Sequence, residues 1–421
     1  MSVPKFTNKG SGFLFEWEPE KLNIAISKLR SARDGGITCI LTATTTLEGC
    51  EPHLYQMNFN PLATRTKNEL KKELERRYHP DGIKPNWDEI IESLCVNTIE
   101  QFEQGEPVED ILSSDGWEKP GYLIDPIIPL NQPTVIFGDP GTGKSELALL
   151  LGTISILQWE DNPLNLIPAP RMYKTLLLDY ETARPEIGYR CKTLAAGMGL
   201  GLILMPYRRC YFPLAQDIEQ IKRHVEENKI EFLIIDSLGP ACGGDLKEAG
   251  PALEYFRAIR QIKTYTGEPI TSLSTAHNSK NQEGKKTIFG SMFFEAMARS
   301  VWEVNGDQEE GADDMNISLR HTKANMSKKH APLGFNINFA DDKTIITSIN
   351  PSKIDGLVER MGANTKILHC LTTKPMTMEE LILNTGEKQN NIYQALARLK
   401  KANKIIKNGN TWGLLSNASY N

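Results

Sequence analysis

The sequence is short of cysteine and shows no pattern in what it has. Its seven cysteines, Cys39, Cys50, Cys95, Cys191, Cys210, Cys242 and Cys370, include no C-x-x-C pair. That excludes a recognisable disulfide framework or zinc site and fits a reducing compartment; most are expected as small core residues. No run of about 18 apolar residues is present to span a bilayer. The opening MSVPKFTNKGSGF has no apolar stretch of the kind a secretory signal needs. The expected setting is the cytoplasm, away from membranes. Internal repeats and low-complexity tracts are lacking, and so is an overall positive charge. With 48 Lys and Arg against 53 Asp and Glu, the net charge is -5, and the chain as a whole is not patterned as a nucleic-acid binder. The charge is uneven, however. From Ala363 onward eight Lys and Arg face three Glu, a balance of +5 that leaves -10 for the rest. Any nucleic-acid contact through the termini is therefore expected at the C-terminal end.

What is present suits a folded chain of two or three domains: 421 residues, 40% hydrophobic and 24% charged. Residues 1–117 hold two strand-like runs, Gly12–Trp17 and Ile37–Thr46, then two helical segments. Thr64–Tyr78 puts Leu70 and Leu74 on one face, and Trp87–Glu103 places Ile90, Ile91, Leu94 and Ile99 at helical spacing. Turn-rich stretches at 79–86 and 104–121 read as linkers. Across 118–350, β-rich runs (TVIFG, TLLLDYE, FLIID, ITSLSTAH) alternate with amphipathic helices from Lys144, near Arg184–Gly197 and near Ala249–Thr266. That alternation predicts an α/β core with a mostly parallel sheet. The later runs RSVWEVN, NISLRHTKA and FNINF are expected as added antiparallel strands. After a polar linker at 351–364, residues 365–421 read as three short helices (Thr365–Leu371, Thr377–Asn384, Lys388–Ala402) and a hairpin over Lys404–Leu414 turning at Asn408-Gly409-Asn410, the layout of a winged helix.

The strongest chemical signal is Gly138-Asp139-Pro140-Gly141-Thr142-Gly143-Lys144-Ser145, followed by Glu146, which satisfies G-x-x-x-x-G-K-[ST] between a strand and a helix. Its glycines let backbone N–H groups close around phosphate oxygens, and the helix aims its positive end at the same place. Lys144 is expected on the β and γ phosphates of ATP and Ser145 on Mg²⁺. Phe232–Asp236 is an apolar strand ending in an acid that can complete the Mg²⁺ shell, usually through water. Thr175–Glu181 ends in two acids, Asp179 and Glu181, either of which can orient the attacking water; a solvated strand end is the plainer reading. His277 closes its strand and opens the loop 278–286, where it can sense the γ-phosphate or simply be a hydrogen-bonded strand end. Lys280, Lys285 and Lys286 in that loop can meet a nucleic-acid backbone, though solvation explains most such runs. Arg299 and Lys323 are cations near strand ends, able to reach a neighbouring subunit's ATP as a finger or to be ordinary surface charge.

Together GDPGTGKS, LLLDYET, LIIDSLGP, STAHNSKN, the FGS…ARSVW stretch, HTKAN and PLGFNINF resemble the RepA-like group of RecA-type ATPases, which contains hexameric plasmid replicative helicases. The matching pieces run in order from about Pro133 to Phe339. The resemblance implies a RecA fold, a hexameric ring and an active site between subunits. It implies Glu181 as catalytic glutamate, Asp236 as the metal-site aspartate, His277 as sensor and Arg299 as finger, with Lys323 a second candidate. Residues added at both ends depart from that group. The C-terminal zone resembles a winged-helix domain with Lys388–Lys401 as recognition helix. Ile392, Leu396 and Leu399 would face inward, and Lys388, Gln389, Asn390, Arg398, Lys400 and Lys401 would be available to DNA. The resulting expectation is a Mg²⁺-dependent ATPase ring acting on DNA. Its rivals are an ATP-switched DNA-binding regulator and a defence or signalling ATPase with a protein partner on the N-terminal domain.

Overall fold

The computed structural model describes residues 3–8, 12–31, 36–79, 85–104, 108, 110–116, 118–279, 286–325, 328–351, 354 and 362–415. Lys280, Lys285 and most of the expected 351–364 linker lie outside the described residues. The chain divides into two compact units, one of 1–119 with 214–231 and 257–270, the other of 120–213, 232–256 and 271–421.

The first unit opens with β1 (Lys5–Asn8), β2 (Gly12–Trp17), β3 (Leu22–Ser31), β4 (Ile37–Thr45) and β5 (His53–Phe59), followed by α1 (Thr64–Arg77) and α2 (Trp87–Gln104). The strands form an antiparallel meander in chain order. Side chains of a strand alternate between faces, and here Leu22, Ile24 and Ile26 of β3 and Cys39, Leu41 and Ala43 of β4 are buried on one of them. Phe15 and Trp17 join that core, as do Leu70, Leu74, Ile90, Ile91 and Leu94 from the helices. Strands β1, β3 and β5 go beyond the two strand-like runs read from the sequence.

Onward lie β6 (Tyr122–Asp125), β7 (Ile128–Pro129), β8 (Pro133–Gly138), α3 (Lys144–Leu157), β9 (Ile167–Pro168), β10 (Thr175–Asp179), α4 (Arg184–Gly197), β11 (Tyr207–Arg209), α5 (Leu214–Glu227) and β12 (Phe232–Asp236). Then come α6 (Leu238–Cys242), α7 (Ala249–Gln261), β13 (Thr271–His277), α8 (Met292–Met297), β14 (Ser300–Asp307), β15 (Asp314–Ala324), β16 (Leu333–Ala340) and β17 (Lys343–Ile349). Nine strands form one sheet in the order β11-β10-β12-β13-β8-β14-β15-β16-β17. The six from β11 to β14 run parallel, and β15 to β17 extend the sheet as an antiparallel meander. Strands β8, β10 and β12 are buried throughout, as parallel strands covered on both faces must be. Helix α3 is apolar nearly all round and packs Leu147 to Leu151 and Ile154 into the same core. One expectation is corrected: RSVWEVN forms β14, which runs parallel to β8, with Ser300 opposite Thr134 and Val304 opposite Gly138. Only its pairing with β15 is antiparallel, because the chain crosses back through α8 before entering the sheet.

The C-terminal region contains α9 (Ala363–Thr373), β18 (Met376–Thr377), α10 (Met378–Thr385), α11 (Gln389–Lys401), β19 (Ile405–Asn408) and β20 (Thr411–Leu414). Its three strands pair in the order β18-β20-β19, around a core that includes Ile367, Leu381, Ile392, Leu396, Leu399 and Ile405. A reciprocal pair of hydrogen bonds between Thr377 and Glu380 caps the start of α10.

Candidate nucleotide site

The phosphate loop sits at the C-terminal end of β8. Gly141 and Gly143 take φ of 75° and 71°, in the left-handed region that costs glycine least. A Cβ on Gly143 would also lie 2.5 Å from Ile337 Cδ1. Gly138 is held by a different constraint: a Cβ there would come within 2.2 Å of the Val304 carbonyl oxygen on β14. Helix α3 starts at Lys144, so its unpaired N–H groups face the loop. Lys144 Nζ donates to the carbonyls of Asp139 (2.6 Å) and Gly138 (3.2 Å) and to Thr142 Oγ1 (3.3 Å). Burial lowers its pKa, while Asp236, Glu181, Asp139 and Glu146 favour the charged form.

The loop is one wall of a cavity of about 400 Å³ that also receives Glu181, Arg190, Asp236, His277 and Phe339. Asp236 accepts hydrogen bonds from the Thr275 and Ser145 hydroxyls. Burial raises its pKa; those hydrogen bonds and Arg190 oppose the rise, and Glu181 adds to it. The two acids that spacing alone left equivalent are now distinct. Asp179 is buried and accepts from the backbone N–H of Glu181 (3.0 Å) and Thr182 (2.9 Å), from the Thr182 and Tyr207 hydroxyls (both 2.9 Å) and from Arg209 (3.2 Å). Burial pushes its pKa up, but the hydrogen bonds win and the net shift is downward. Glu181 instead opens into the cavity, with its side chain 41% exposed. It accepts from Ser237 Oγ, and Oε1 lies 3.9 Å from His277 Nε2.

Beyond His277 the chain turns back on itself: Ser279 N–H donates to Thr287 O at 2.8 Å and Phe289 N–H to His277 O at 2.8 Å. The return places Lys286 against the Asp139 carboxylate, which Lys286 above all holds below its usual pKa against the effect of burial. Of the three loop lysines, the one described is therefore bound to the phosphate loop.

Arg299 and Lys323 are not in this cavity. They flank the start of β14, whose Ser300 is opposite Thr134, four residues before Gly138. Lys323 Nζ donates to three carbonyls at the end of α8, Glu295 (2.8 Å), Ala296 (2.7 Å) and Ala298 (2.7 Å). Burial and then the nearby Arg299 lower its pKa. Arg299 is exposed. In the C-terminal region Lys388, Gln389, Asn390, Arg398, Lys400 and Lys401 are all exposed, while Ile392, Leu396 and Leu399 are buried.

Sequence reasoning missed Arg190 and Phe339. Neither belongs to a spaced motif; each enters the cavity only because α4 and β16 fold towards the loop.

A family model described as "AAA domain" matches residues 101–283. Among solved structures, the chain is similar to the flagellar accessory protein FlaH from Methanocaldococcus jannaschii. The identity is 13% and the TM-score 0.35, over 53% of this chain and 91% of that one. No curated protein matches the sequence. The family match and the G-x-x-x-x-G-K-S loop within it support a P-loop ATPase, and the sheet around that loop is large and mostly parallel. Among the described residues, no helix is long and apolar enough to cross a membrane.

Proposed function

We propose that the chain is a Mg²⁺-dependent ATPase that assembles as a ring, a hexamer by its resemblance to RepA-like helicases, and acts on DNA. The observation that carries the ATPase reading is convergence. Lys144, Ser145, Glu181, Asp236 and His277 come from the ends of three different strands and the helix after β8, yet face one cavity. Lys144 leaves its carbonyl partners for the β and γ phosphates, and the first N–H groups of α3 bind phosphate oxygens. Glu181 orients the attacking water and takes its proton. His277, 3.9 Å from that carboxylate, registers the change at the γ-phosphate and passes it along its paired return segment to Lys286.

The residues present fit Mg²⁺. Ser145 and Asp236 offer two hard oxygen donors already hydrogen-bonded to each other. No cluster of three or more metal-binding side chains occurs among the described residues, as suits an ion completed by phosphate and water. When bound, Mg²⁺ withdraws charge from the phosphate oxygens. Arg299 is the preferred finger for a neighbouring subunit, because it is exposed while Lys323 is engaged by three carbonyls. DNA contact is assigned to the C-terminal region, read as a winged helix, where α11 carries no acidic residue and Lys388, Arg398, Lys400 and Lys401 are exposed.

ATP turnover by wild type and Lys144→Ala, with and without single-stranded and duplex DNA at two salt concentrations, tests this reading, with light scattering for ring size. Expected is turnover that DNA stimulates, that salt weakens and that Lys144→Ala abolishes. Lys144-dependent turnover indifferent to DNA would remove the helicase reading and favour a nucleotide switch or a protein-directed ATPase.

A further inference from the structure

We propose that Arg190 is a nucleotide-binding residue in cis, whose guanidinium takes the phosphates common to ADP and ATP; this rests on the nucleotide reading above. Arg190 projects from α4 into the cavity that holds Lys144 and Ser145. Its Nη1 lies 3.2 Å from Glu146 Oε1, and its Nη2 lies 2.7 Å from Glu186 Oε1. Glu146 is in the first turn of α3, the turn whose N–H groups face phosphate. With Lys144 on the β and γ phosphates, a cation at Glu146 lies toward the α and β end of the chain.

Charge balance points the same way. Among the described side chains lining the cavity, Glu146, Glu181 and Asp236 are acidic, and Lys144 and Arg190 are the basic ones apart from His277. A carboxylate at the mouth of an anion site repels the incoming ligand unless a cation covers it. Arg190 covers Glu146 and still has donors to spare, because a guanidinium carries five in a planar fork suited to phosphate.

The helix presenting it is fixed. Tyr189 Oη donates to Asp341 O at 2.9 Å, and Thr344 Oγ1 donates to Thr193 Oγ1 at 3.0 Å. Gly197 runs so close to Thr344 that a Cβ would lie 2.1 Å from its carbonyl oxygen. Arg190 is therefore presented from a helix packed against β17, and phosphate meets the guanidinium donors that Glu146 and Glu186 leave over. The competing account makes Arg190 a brace between α3 and α4 with no ligand of its own.

Calorimetric titration of the full chain with ADP and with ATP, alongside thermal melts, separates the two accounts. Removing a charged hydrogen-bonding partner of phosphate is expected to weaken ADP and ATP alike in Arg190→Ala, by about 10- to 100-fold. Arg190→Lys should recover part of the loss by restoring charge without the fork. Glu146→Gln, which frees Arg190, should bind ADP at least as tightly as wild type. Unchanged ADP affinity in Arg190→Ala with a lowered melting temperature would overturn the proposal in favour of the brace. Equal weakening in Arg190→Ala and Glu146→Gln would do the same, and a loss confined to turnover would overturn the assignment to the shared phosphates. If wild type binds neither nucleotide, the ATPase reading itself fails, an outcome distinct from a wild type that binds and an Arg190→Ala that binds equally well.

Discussion

Acid should loosen the second unit through one histidine. His321 on β15 stacks on Trp302 of β14 with ring centroids 4.1 Å apart and planes 1° apart. Its Nδ1 accepts the His330 backbone N–H at 3.2 Å, and Nε2 lies 3.3 Å from Ser300 Oγ. A second proton would have to sit on Nδ1, facing another donor. Burial, followed by the nearby His330 and Lys329, moves the pKa from 6.5 down to about 4. Because the folded pKa lies below the unfolded one, the unfolded chain gains the proton first. The contribution is complete above about pH 6.5 and is lost as pH falls towards about 4. At 1.36 kcal/mol per pKa unit the full loss is about 3 kcal/mol, of which about 2 kcal/mol has gone by pH 5. Urea unfolding of wild type and His321→Phe at pH 7.5 and pH 5.0 provides the assay. Phenylalanine keeps the stack and forfeits the hydrogen bonds at both pH values, so the variant starts less stable, but its further loss on acidification should be smaller by about 2 kcal/mol. An equal pH-dependent loss in both proteins would refute the reasoning.

Four other outcomes follow from the site and from the two cations at the start of β14. Glu181→Gln should cut turnover by about 10²- to 10⁴-fold with ATP still bound, whereas Asp179→Asn should chiefly lower stability, by about 2–4 kcal/mol, because it leaves buried donors mismatched; turnover assays and urea melts distinguish them. Gly143→Ala should cost at least about 1–2 kcal/mol from its left-handed backbone alone, with more from displacing Ile337, and should weaken ATP binding by calorimetry. Lys323→Met should lower the urea midpoint by leaving three carbonyls at the end of α8 unsatisfied while sparing ATP affinity. Arg299→Ala should spare the midpoint and abolish turnover in the assembled protein.

The phosphate loop was legible in the sequence because its glycines, lysine and serine act through local backbone geometry. The parallel strands around it were legible as apolar runs. Their neighbours were not: β8 sits beside β13 rather than β10, a choice made by crossovers that leave no local mark. The direction of β14 was misread for the same reason, since it depends on where α8 delivers the chain. Helix α5 escaped notice although Leu214, Ile221 and Val225 fall at helical intervals along it, and β3 although Leu22, Ile24 and Ile26 alternate. In those two elements the periodic pattern is present in the sequence itself. Asp179 and Glu181 could not be separated by spacing, because Tyr207 and Arg209, well along the chain on β11, decide which acid is tied down. Arg190 had no local signal at all.

Strand β14 begins beside one candidate site and ends against another. Arg299 stands at its start, and five residues later Val304 places its carbonyl where Gly138 has no side chain to keep it away. Extended backbone over that interval is about 17 Å long and, hydrogen-bonded on both sides, has little room to bend. It can act as a pushrod. In a ring whose neighbours receive Arg299, a shift of the phosphate loop on nucleotide binding would travel down β14 and alter how firmly that arginine meets the next subunit's ATP. Order of firing around such a ring would then be written into a single strand, with no separate relay loop required.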